Sequence, residues 1–203
     1  MSENEDVNLS TLEYYNKKAK EFVTDTVDVT FTEMQDTFLD YIPVGGKILD
    51  FGCGSGRDAK YFLSKGYNVD AIDGSVELCK IASDYTGIAV KQMLFEELDA
   101  VEEYDGIWAC ASILHVTKEQ LPDIIRKIAT ATKKNGAVYL SFKYGDFEGV
   151  KNGRYFTYLT EESFEDIVHN IPTLMIDKIW ITTDVRAGRG DGQWLNLILK
   201  KQD

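Results

Sequence analysis

The feature that most constrains the fold is a short apolar strand at 48–51, which runs directly into three glycines on alternate positions. A buried strand that breaks into a glycine loop and then a helix is typical of the nucleotide-binding turn of an α/β sheet. Dinucleotide sites place their third glycine three positions after the second, where this chain has Arg57. The acidic Asp50 beside the loop would repel a pyrophosphate, so it favours a cationic, amino-bearing ligand. The three glycines are Gly52, Gly54 and Gly56.

Length and composition predict a single globular domain with a sizeable core. The chain has 203 residues, 44% of them hydrophobic, only three prolines and no low-complexity tract that would indicate a long linker. No apolar run is long enough to cross a bilayer, and the polar N-terminus is unlike a signal peptide, so we expect a cytoplasmic protein. Three cysteines without CxxC spacing predict neither a disulfide framework nor a metal site.

The net charge of −12 bears on the class of partner. A negative field disfavours the phosphate backbone of nucleic acids and the surface of anionic membranes. No basic patch with interspersed aromatic residues offsets it. The sequence therefore favours a small-molecule partner over DNA, RNA or a membrane, and it carries no indication of the oligomeric state.

Apolar periodicity divides the chain into an N-terminal helical cap, residues 1–44, and an α/β core, residues 45–203. In the core, strands alternate with helices, which predicts a mostly parallel sheet with helices on both faces. The last two strands lack a helix between them, so we expect an antiparallel hairpin at one edge. Strands are expected at about 47–51, 67–72, 88–93, 104–111, 137–143, 174–184 and 193–201. Helices are expected at about 9–27, 30–41, 57–65, after Ser75, at 118–132 behind a capping box at Thr117 and Gln120, and at 160–170.

The loop at 50–56 matches, position for position, the acidic-x-Gly-x-Gly-x-Gly first motif of the class I S-adenosylmethionine-dependent methyltransferases. The chain resembles this family over residues 45–200 or so. The resemblance implies a Rossmann-like, doubly wound sheet of seven strands with a reversed terminal strand, and S-adenosylmethionine as the cofactor. It also implies transfer of a methyl group to an acceptor, with release of S-adenosylhomocysteine. The segment 186–194 resembles the tail of a bacterial small-molecule subgroup related to the tellurite-resistance methyltransferases.

The resemblance also implies where the cofactor lies. Asp73 ends the second strand about twenty residues after the glycine loop, where a carboxylate can accept both ribose hydroxyls. Many relatives carry an Asp after the third strand that contacts the adenine amino group, whereas this chain has Leu94, so the backbone of Leu94 and Phe95 would have to replace that contact. We expect cofactor contacts from Asp50, Gly52, Cys53, Gly54, Gly56, Arg57, Asp73, Gly74, Leu78, Leu94, Phe95, Cys110, Ala111 and the aromatic pair Tyr14 and Tyr15.

The acceptor is expected beside the methionine end of the cofactor. His115 follows the fourth strand and is the candidate general base, needed only if the acceptor must lose a proton early, as a hydroxyl does. Residues after the fifth strand and in the last hairpin are the candidate acceptor contacts, and they suit an acceptor with an acidic group. They are Tyr144, Arg154, Arg186, Arg189 and Trp194.

Alternatives remain open for individual residues and for the whole chain. Asp73 could simply cap a helix, Leu78 could be ordinary packing, and His115 could be a core histidine. The chain could be a non-catalytic S-adenosylmethionine-binding module or, against the glycine spacing and Asp50, a nicotinamide-dependent dehydrogenase. The Asn/Asp-Pro-Pro-aromatic motif of DNA amino-methyltransferases is missing after the fourth strand, where the chain reads Ala-Cys-Ala-Ser.

Overall fold

A computed structural model describes residues 3–186 and 192–202, with side chains from Leu9 onwards. Its helices are α1 (Glu3–Thr26), α2 (Thr32–Leu39), α3 (Arg57–Ser64), α4 (Val76–Thr86), α5 (Leu121–Ala131) and α6 (Glu161–Val168). Its strands are β1 (Lys47–Phe51), β2 (Asn68–Asp73), β3 (Val90–Gln92), β4 (Tyr104–Ala109), β5 (Thr132–Lys143), β6 (Glu148–Lys151), β7 (Arg154–Thr157), β8 (Leu174–Thr183) and β9 (Gln193–Lys201).

Seven strands form one sheet in the order β3-β2-β1-β4-β5-β9-β8. The pairs β1–β2, β1–β4, β2–β3 and β4–β5 are parallel, whereas β9 runs antiparallel to both of its neighbours. The expected Rossmann-like, mostly parallel sheet with an antiparallel C-terminal pair is therefore confirmed. The order reverses at β1 and β4, and ligands of open α/β sheets bind at such a switch point, beyond the carboxyl ends of the strands.

The core lies on both faces of the sheet, as expected for strands that read as nearly continuous apolar runs. On one face α5 and α6 cover Leu49, Phe51 and their neighbours in β4, β5 and β9. On the other face the indole of Trp108 stacks on the Tyr139 ring, with centroids 4.0 Å apart and planes inclined by 14°. The two apolar clusters hold the strands rigidly, so the loops at their carboxyl ends are fixed in position.

Of the two helices in the predicted cap at 1–44, α1 reaches over the carboxyl edge of the sheet, whereas α2 packs against one face of it. The ring of Phe38 in α2 is fully buried and packs on Phe62 and Trp108, with centroids 5.8 and 5.2 Å away. Helix α2 therefore belongs to the core. The two helices have similar spacing of their apolar residues, so periodicity alone could not distinguish the position of α2 from that of α1.

Several element boundaries follow from local chemistry. Ser75 starts α4, and its Oγ accepts a hydrogen bond from the backbone N of Leu78 over 3.2 Å. Thr160 starts α6 in the same way, from the backbone N of Ser163. The expected capping box at Thr117 forms a turn instead, and α5 begins at Leu121.

Two features of the chain were not expected from the sequence. Strand β5 begins at Thr132, five residues before the expected start at 137, and its register on β4 shifts between Tyr104 and Gly106. A separate hairpin of β6 and β7, joined through Asn152 and Gly153, projects beside α1. The hairpin brings Arg154 to the carboxyl edge of the sheet.

Candidate active site

The glycine loop is fixed to the end of β2 by backbone hydrogen bonds. The N–H groups of Gly52 and Cys53 both donate to the carbonyl of Ile72, over 3.0 and 2.9 Å. The N–H of Gly54 donates to Asp73 Oδ2 over 2.9 Å. Gly52 has a φ of +85°, and a Cβ there would lie 2.5 Å from the Cβ of Ser112, so no larger residue fits.

Asp50 and Gly56 lie behind the loop and are not among the residues that line the cavities, so their expected contact with the cofactor stays a prediction. Asp50 is 2% exposed, and its Oδ2 accepts a hydrogen bond from the backbone N of Ala59 over 3.0 Å. Burial, together with the nearby Asp58 carboxylate, raises the pKa of Asp50. A Cβ on Gly56 would lie 2.8 Å from Thr86 Cγ2, so this glycine allows α3 to approach α4. Both residues shape the loop from below.

A first cavity opens between the glycine loop, the ends of β2 and β3, and α1. Asp73 lies in its wall, and its Oδ1 accepts a hydrogen bond from the backbone N of Ser75 over 2.8 Å. Burial raises the pKa of Asp73, and the two backbone donors partly offset that rise. Most of the remaining wall is apolar, and it includes Leu12, Gly74, Leu78, Met93, Leu94 and Phe95.

These residues fit the adenosine half of S-adenosylmethionine. A flat adenine ring suits an apolar slot, and the ring of Phe95 is itself supported by Phe51, with centroids 4.7 Å apart. A carboxylate whose oxygens each accept one backbone N–H keeps lone pairs for a vicinal diol. Asp73 thus holds the glycine loop through the Gly54 N–H and also offers the kind of polar group that a ribose requires.

Helix α1 forms the roof of this cavity. Thr11 Oγ1 accepts a hydrogen bond from the backbone N of Tyr155, and Asn16 Oδ1 accepts one from Ser75 Oγ, over 3.0 and 2.7 Å. A Cβ on Gly74 would lie 2.6 Å from Leu12 Cδ2, so this glycine lets α1 sit close to the sheet. The roof is therefore attached to both the β6–β7 hairpin and the start of α4.

His115 and Tyr15 meet where the roof closes on the end of β4. The carbonyl of Tyr155 can only accept a hydrogen bond, so His115 Nδ1 carries the proton and donates to it over 2.6 Å. His115 Nε2 then accepts from the Tyr15 hydroxyl over 2.8 Å. Burial lowers the pKa of His115 to about 4, which keeps the ring neutral at physiological pH. Burial also raises the pKa of Tyr15, so the phenol stays protonated.

A second cavity, of about 1130 Å³, continues from the first and shares part of its wall. Ala111 lies in the shared wall with an unusual φ of +52°, and its N–H donates to Ser141 Oγ over 2.8 Å. Cys53 and Cys110 also line the second cavity, and burial raises the pKa of both thiols, that of Cys110 to about 12. Neither thiol is therefore a thiolate nucleophile at neutral pH. The shared wall consists of Tyr15, Phe22, Gly52, Gly54, Ala111 and His115.

Two of the basic residues expected near the acceptor line this second cavity in ion pairs. Arg186 Nε and Nη2 hold Asp184 Oδ1 and Oδ2 over 2.9 and 2.7 Å. Lys143 Nζ reaches the same carboxylate over 3.2 Å and lies 3.9 Å from the centre of the Trp194 ring. Burial alone would raise the pKa of Asp184, but the hydrogen bonds from Arg186 and Lys143 hold it well below the usual range. Arg57 pairs with Asp58 in the same way, with Nε–Oδ1 at 2.8 Å.

The remaining predicted contacts differ in position. Tyr14 is not among the residues that line the two cavities; its ring packs edge-on to Tyr15, with centroids 5.6 Å apart. Tyr144 also lies outside both cavities. Arg189 lies outside the described residues. Several lining residues had no recognisable sequence signal, namely Phe22, Phe31, Ser141, Asp184 and Asn196.

Comparison with known proteins agrees with this geometry. The family described as "Methyltransferase domain" matches residues 48–136, which run from β1 through the glycine loop to the start of β5. Over this stretch the chain is similar to methyltransferases. The glycine loop and Asp73, which border the first cavity, both lie within the matched residues.

Two curated relatives match part of this chain. It is 32% identical over 105 residues to a ubiquinone biosynthesis O-methyltransferase of Xanthomonas axonopodis pv. citri, covering 49% of this chain and 44% of that protein. It is 26% identical over 95 residues to the probable S-adenosyl-L-methionine-dependent methyltransferase TehB of Haemophilus influenzae, covering 44% of this chain and 33% of that protein. The matches thus span less than half the length of these relatives. TehB among them agrees with the resemblance predicted from the sequence.

A solved structure shares the whole fold. The 1,6-didemethyltoxoflavin-N1-methyltransferase of Burkholderia thailandensis, solved with its substrate and S-adenosylhomocysteine, superposes with a TM-score of 0.80 at 17% identity. The superposition covers 100% of this chain and 92% of that one. At this identity the likeness concerns the fold alone.

In the part of the chain that the structure describes, no helix is long and apolar enough to span a membrane.

Proposed function

We propose that this protein transfers the methyl group of S-adenosylmethionine to a small molecule held in the second cavity. The observation that carries the proposal is the wall that the two cavities share. A mostly apolar cavity with Asp73 in its wall and a larger, partly charged cavity meet at Gly54, Ala111 and His115. A donor in the first cavity and an acceptor in the second would meet there with little intervening water, and alignment with exclusion of water is most of what such a transfer requires.

The proposed cofactor contacts are those residues that border the cavities. Asp73 would accept the ribose hydroxyls, and Leu78, Leu94 and Phe95 would enclose the adenine. The backbone of 52–54 and Ala111 would hold the methionine end, with Tyr15 above it. When bound, S-adenosylmethionine supplies a methyl group already activated by the positively charged sulfur.

The proposed general base is His115 Nε2. The ring is neutral, and its Nδ1–H is held by the carbonyl of Tyr155, so Nε2 is the nitrogen with an available lone pair. A hydroxyl acceptor would pass its proton to Nε2 directly or through the Tyr15 hydroxyl that already donates to it. An acceptor that needs no deprotonation would leave His115 with a purely positional role.

We also propose that the protein acts in the cytoplasm. Three free thiols suit a reducing compartment. The net charge of −12 makes a nucleic-acid acceptor unfavourable. A small molecule is therefore the acceptor class that we propose.

The proposal is tested by incubating the chain with S-adenosylmethionine and a panel of phenols, thiols, amines and chalcogen oxyanions, and measuring S-adenosylhomocysteine. We expect turnover with at least one class. For a phenol acceptor, His115→Gln should lower kcat by about 100-fold, the usual worth of a general base, while S-adenosylhomocysteine affinity stays unchanged. Tight cofactor binding with no turnover in any class would favour the non-catalytic binding module instead.

A further inference from the structure

Arg154, at the first position of β7, differs from the other cations of the second cavity because none of the described carboxylates pairs with it. Its Nη1 donates to the Tyr15 hydroxyl over 3.3 Å. Its Nε is buried and has no hydrogen-bond partner. Within residues 3–186 and 192–202, no acidic group forms an ion pair with it. A buried donor that is left unsatisfied costs folding free energy, so a position like this is commonly completed by a ligand.

The cations and carboxylates of the second cavity do not balance. Among its described lining residues are four cationic side chains, including Arg154, and two carboxylates, Asp58 and Asp184. Arg57 neutralises Asp58, and Asp184 is shared between Arg186 and Lys143. Arg154 is therefore the cation of the described lining that no described carboxylate neutralises, in a chain whose net charge is −12. A local positive charge of this kind attracts anions into the cavity.

Aromatic rings surround the cations of this cavity. The Arg154 guanidinium carbon lies 4.8 Å from the centre of the Tyr14 ring and 5.0 Å from that of Phe156. Arg57 lies 4.9 Å from the centre of Phe31, and Lys143 is stacked on Trp194. Rings held next to cations provide flat apolar surface beside positive charge. This combination fits a planar molecule that carries an anionic oxygen group.

We propose that the methyl acceptor is a planar small molecule with a carboxylate or phosphate group, and that Arg154 binds that group. The inference rests on the proposed function, since it names the acceptor class for the same site. Arg154 borders the second cavity but not the first, which separates it from the residues that would enclose adenosine. A guanidinium with free donors can bind either oxyanion in a bidentate manner, so the two groups are separated by experiment.

The test uses matched probes on the protein saturated with S-adenosylhomocysteine. Benzoate, its neutral analogue benzamide, and phenyl phosphate are titrated by calorimetry up to millimolar concentration. We expect benzoate or phenyl phosphate to bind about tenfold or more tightly than benzamide, the gain of one charge-assisted contact. The tighter of the two anions identifies the group. Equal binding of the three, or binding of none, would overturn the assignment.

Two variants locate the effect. Arg154→Met should abolish the preference for the anion and leave the affinity for S-adenosylhomocysteine unchanged. Arg126→Met, which removes the same charge from the exposed face of α5, should change neither. A loss of S-adenosylhomocysteine affinity in Arg154→Met would show that Arg154 binds the cofactor carboxylate, and would overturn the inference alone. Failure of the folded wild-type protein to bind S-adenosylhomocysteine would instead refute the proposed function, and the inference with it.

Discussion

Replacement of Asp73 by Asn is the change that most directly tests the cofactor site. The two carboxylate oxygens each accept one backbone N–H, from Gly54 and Ser75. An amide keeps only one oxygen, so it cannot satisfy both backbone donors and also accept from two ribose hydroxyls. The variant must therefore lose at least one hydrogen bond to a charged acceptor in the bound state.

The size of the loss follows from that count. A hydrogen bond to a charged group contributes about 1.5–3 kcal/mol, so one or two lost bonds amount to about 3 kcal/mol. This corresponds to about a 100-fold rise in the Kd for S-adenosylhomocysteine. Calorimetric titration measures it, with circular dichroism to establish that the variant is folded.

Asp70→Asn provides the matched control. Asp70 lies on the same strand as Asp73, and its carboxylate pairs with Lys47 rather than facing a cavity. The substitution changes the net charge of the protein by the same amount as Asp73→Asn. We expect its affinity for S-adenosylhomocysteine to equal that of the wild type. An unchanged affinity in folded Asp73→Asn, or an equal loss in both variants, would refute the assignment of Asp73 to the ribose.

Three further predictions concern stability. Because the pKa of His115 is about 4 in the folded chain and 6.5 when unperturbed, the unfolded chain takes up this proton first on acidification. The neutral His115 ring should therefore contribute up to about 3 kcal/mol to the unfolding free energy, in full above about pH 6.5 and progressively less towards about pH 4. Urea unfolding of His115→Gln should accordingly depend less on pH than that of the wild type. Gly56→Ala should lower the unfolding free energy by about 1–3 kcal/mol, through strain at φ +79° and the contact with Thr86, without changing cofactor affinity per folded molecule. Gly66→Ala, also at positive φ but with open space around it, should cost less. Thr160→Ala should cost about 1 kcal/mol by removing the α6 cap, and an unchanged denaturation midpoint would contradict this.

The parts of the fold that could be predicted are those determined by local pattern. The apolar run of β1, the glycines that end it and the apolar runs of β8 and β9 are each patterns of a few residues. The hairpin of β6 and β7 was missed because its strands are only four residues long and show little alternation of apolar and polar side chains. Strand β5 extends through Asn135 and Gly136, a pair that ordinarily indicates a turn.

Sequence could point to cavity-lining residues near strand ends, but not to those brought together from distant segments. Asp73 is the last residue of β2, Leu78 lies in the helix that follows, and His115 comes shortly after β4, and all three line the first cavity. Their roles towards cofactor and acceptor stay predictions. Asp50 and Gly56 belong to the same motif, but the loop turns both towards α3 and α4, which spacing alone does not reveal. Arg186 pairs with Asp184, whereas no described carboxylate pairs with Arg154. This difference between the two arginines depends on the folded geometry and could not be predicted from the sequence.

We propose that the first cavity, beneath α1, binds S-adenosylmethionine rather than a dinucleotide. Calorimetric titration of the wild-type chain with S-adenosylhomocysteine, beside an identical titration with NAD, tests it most directly. We predict binding of S-adenosylhomocysteine in the micromolar range and none of NAD. Binding of NAD alone would contradict the claim and require a dehydrogenase interpretation of the same loop.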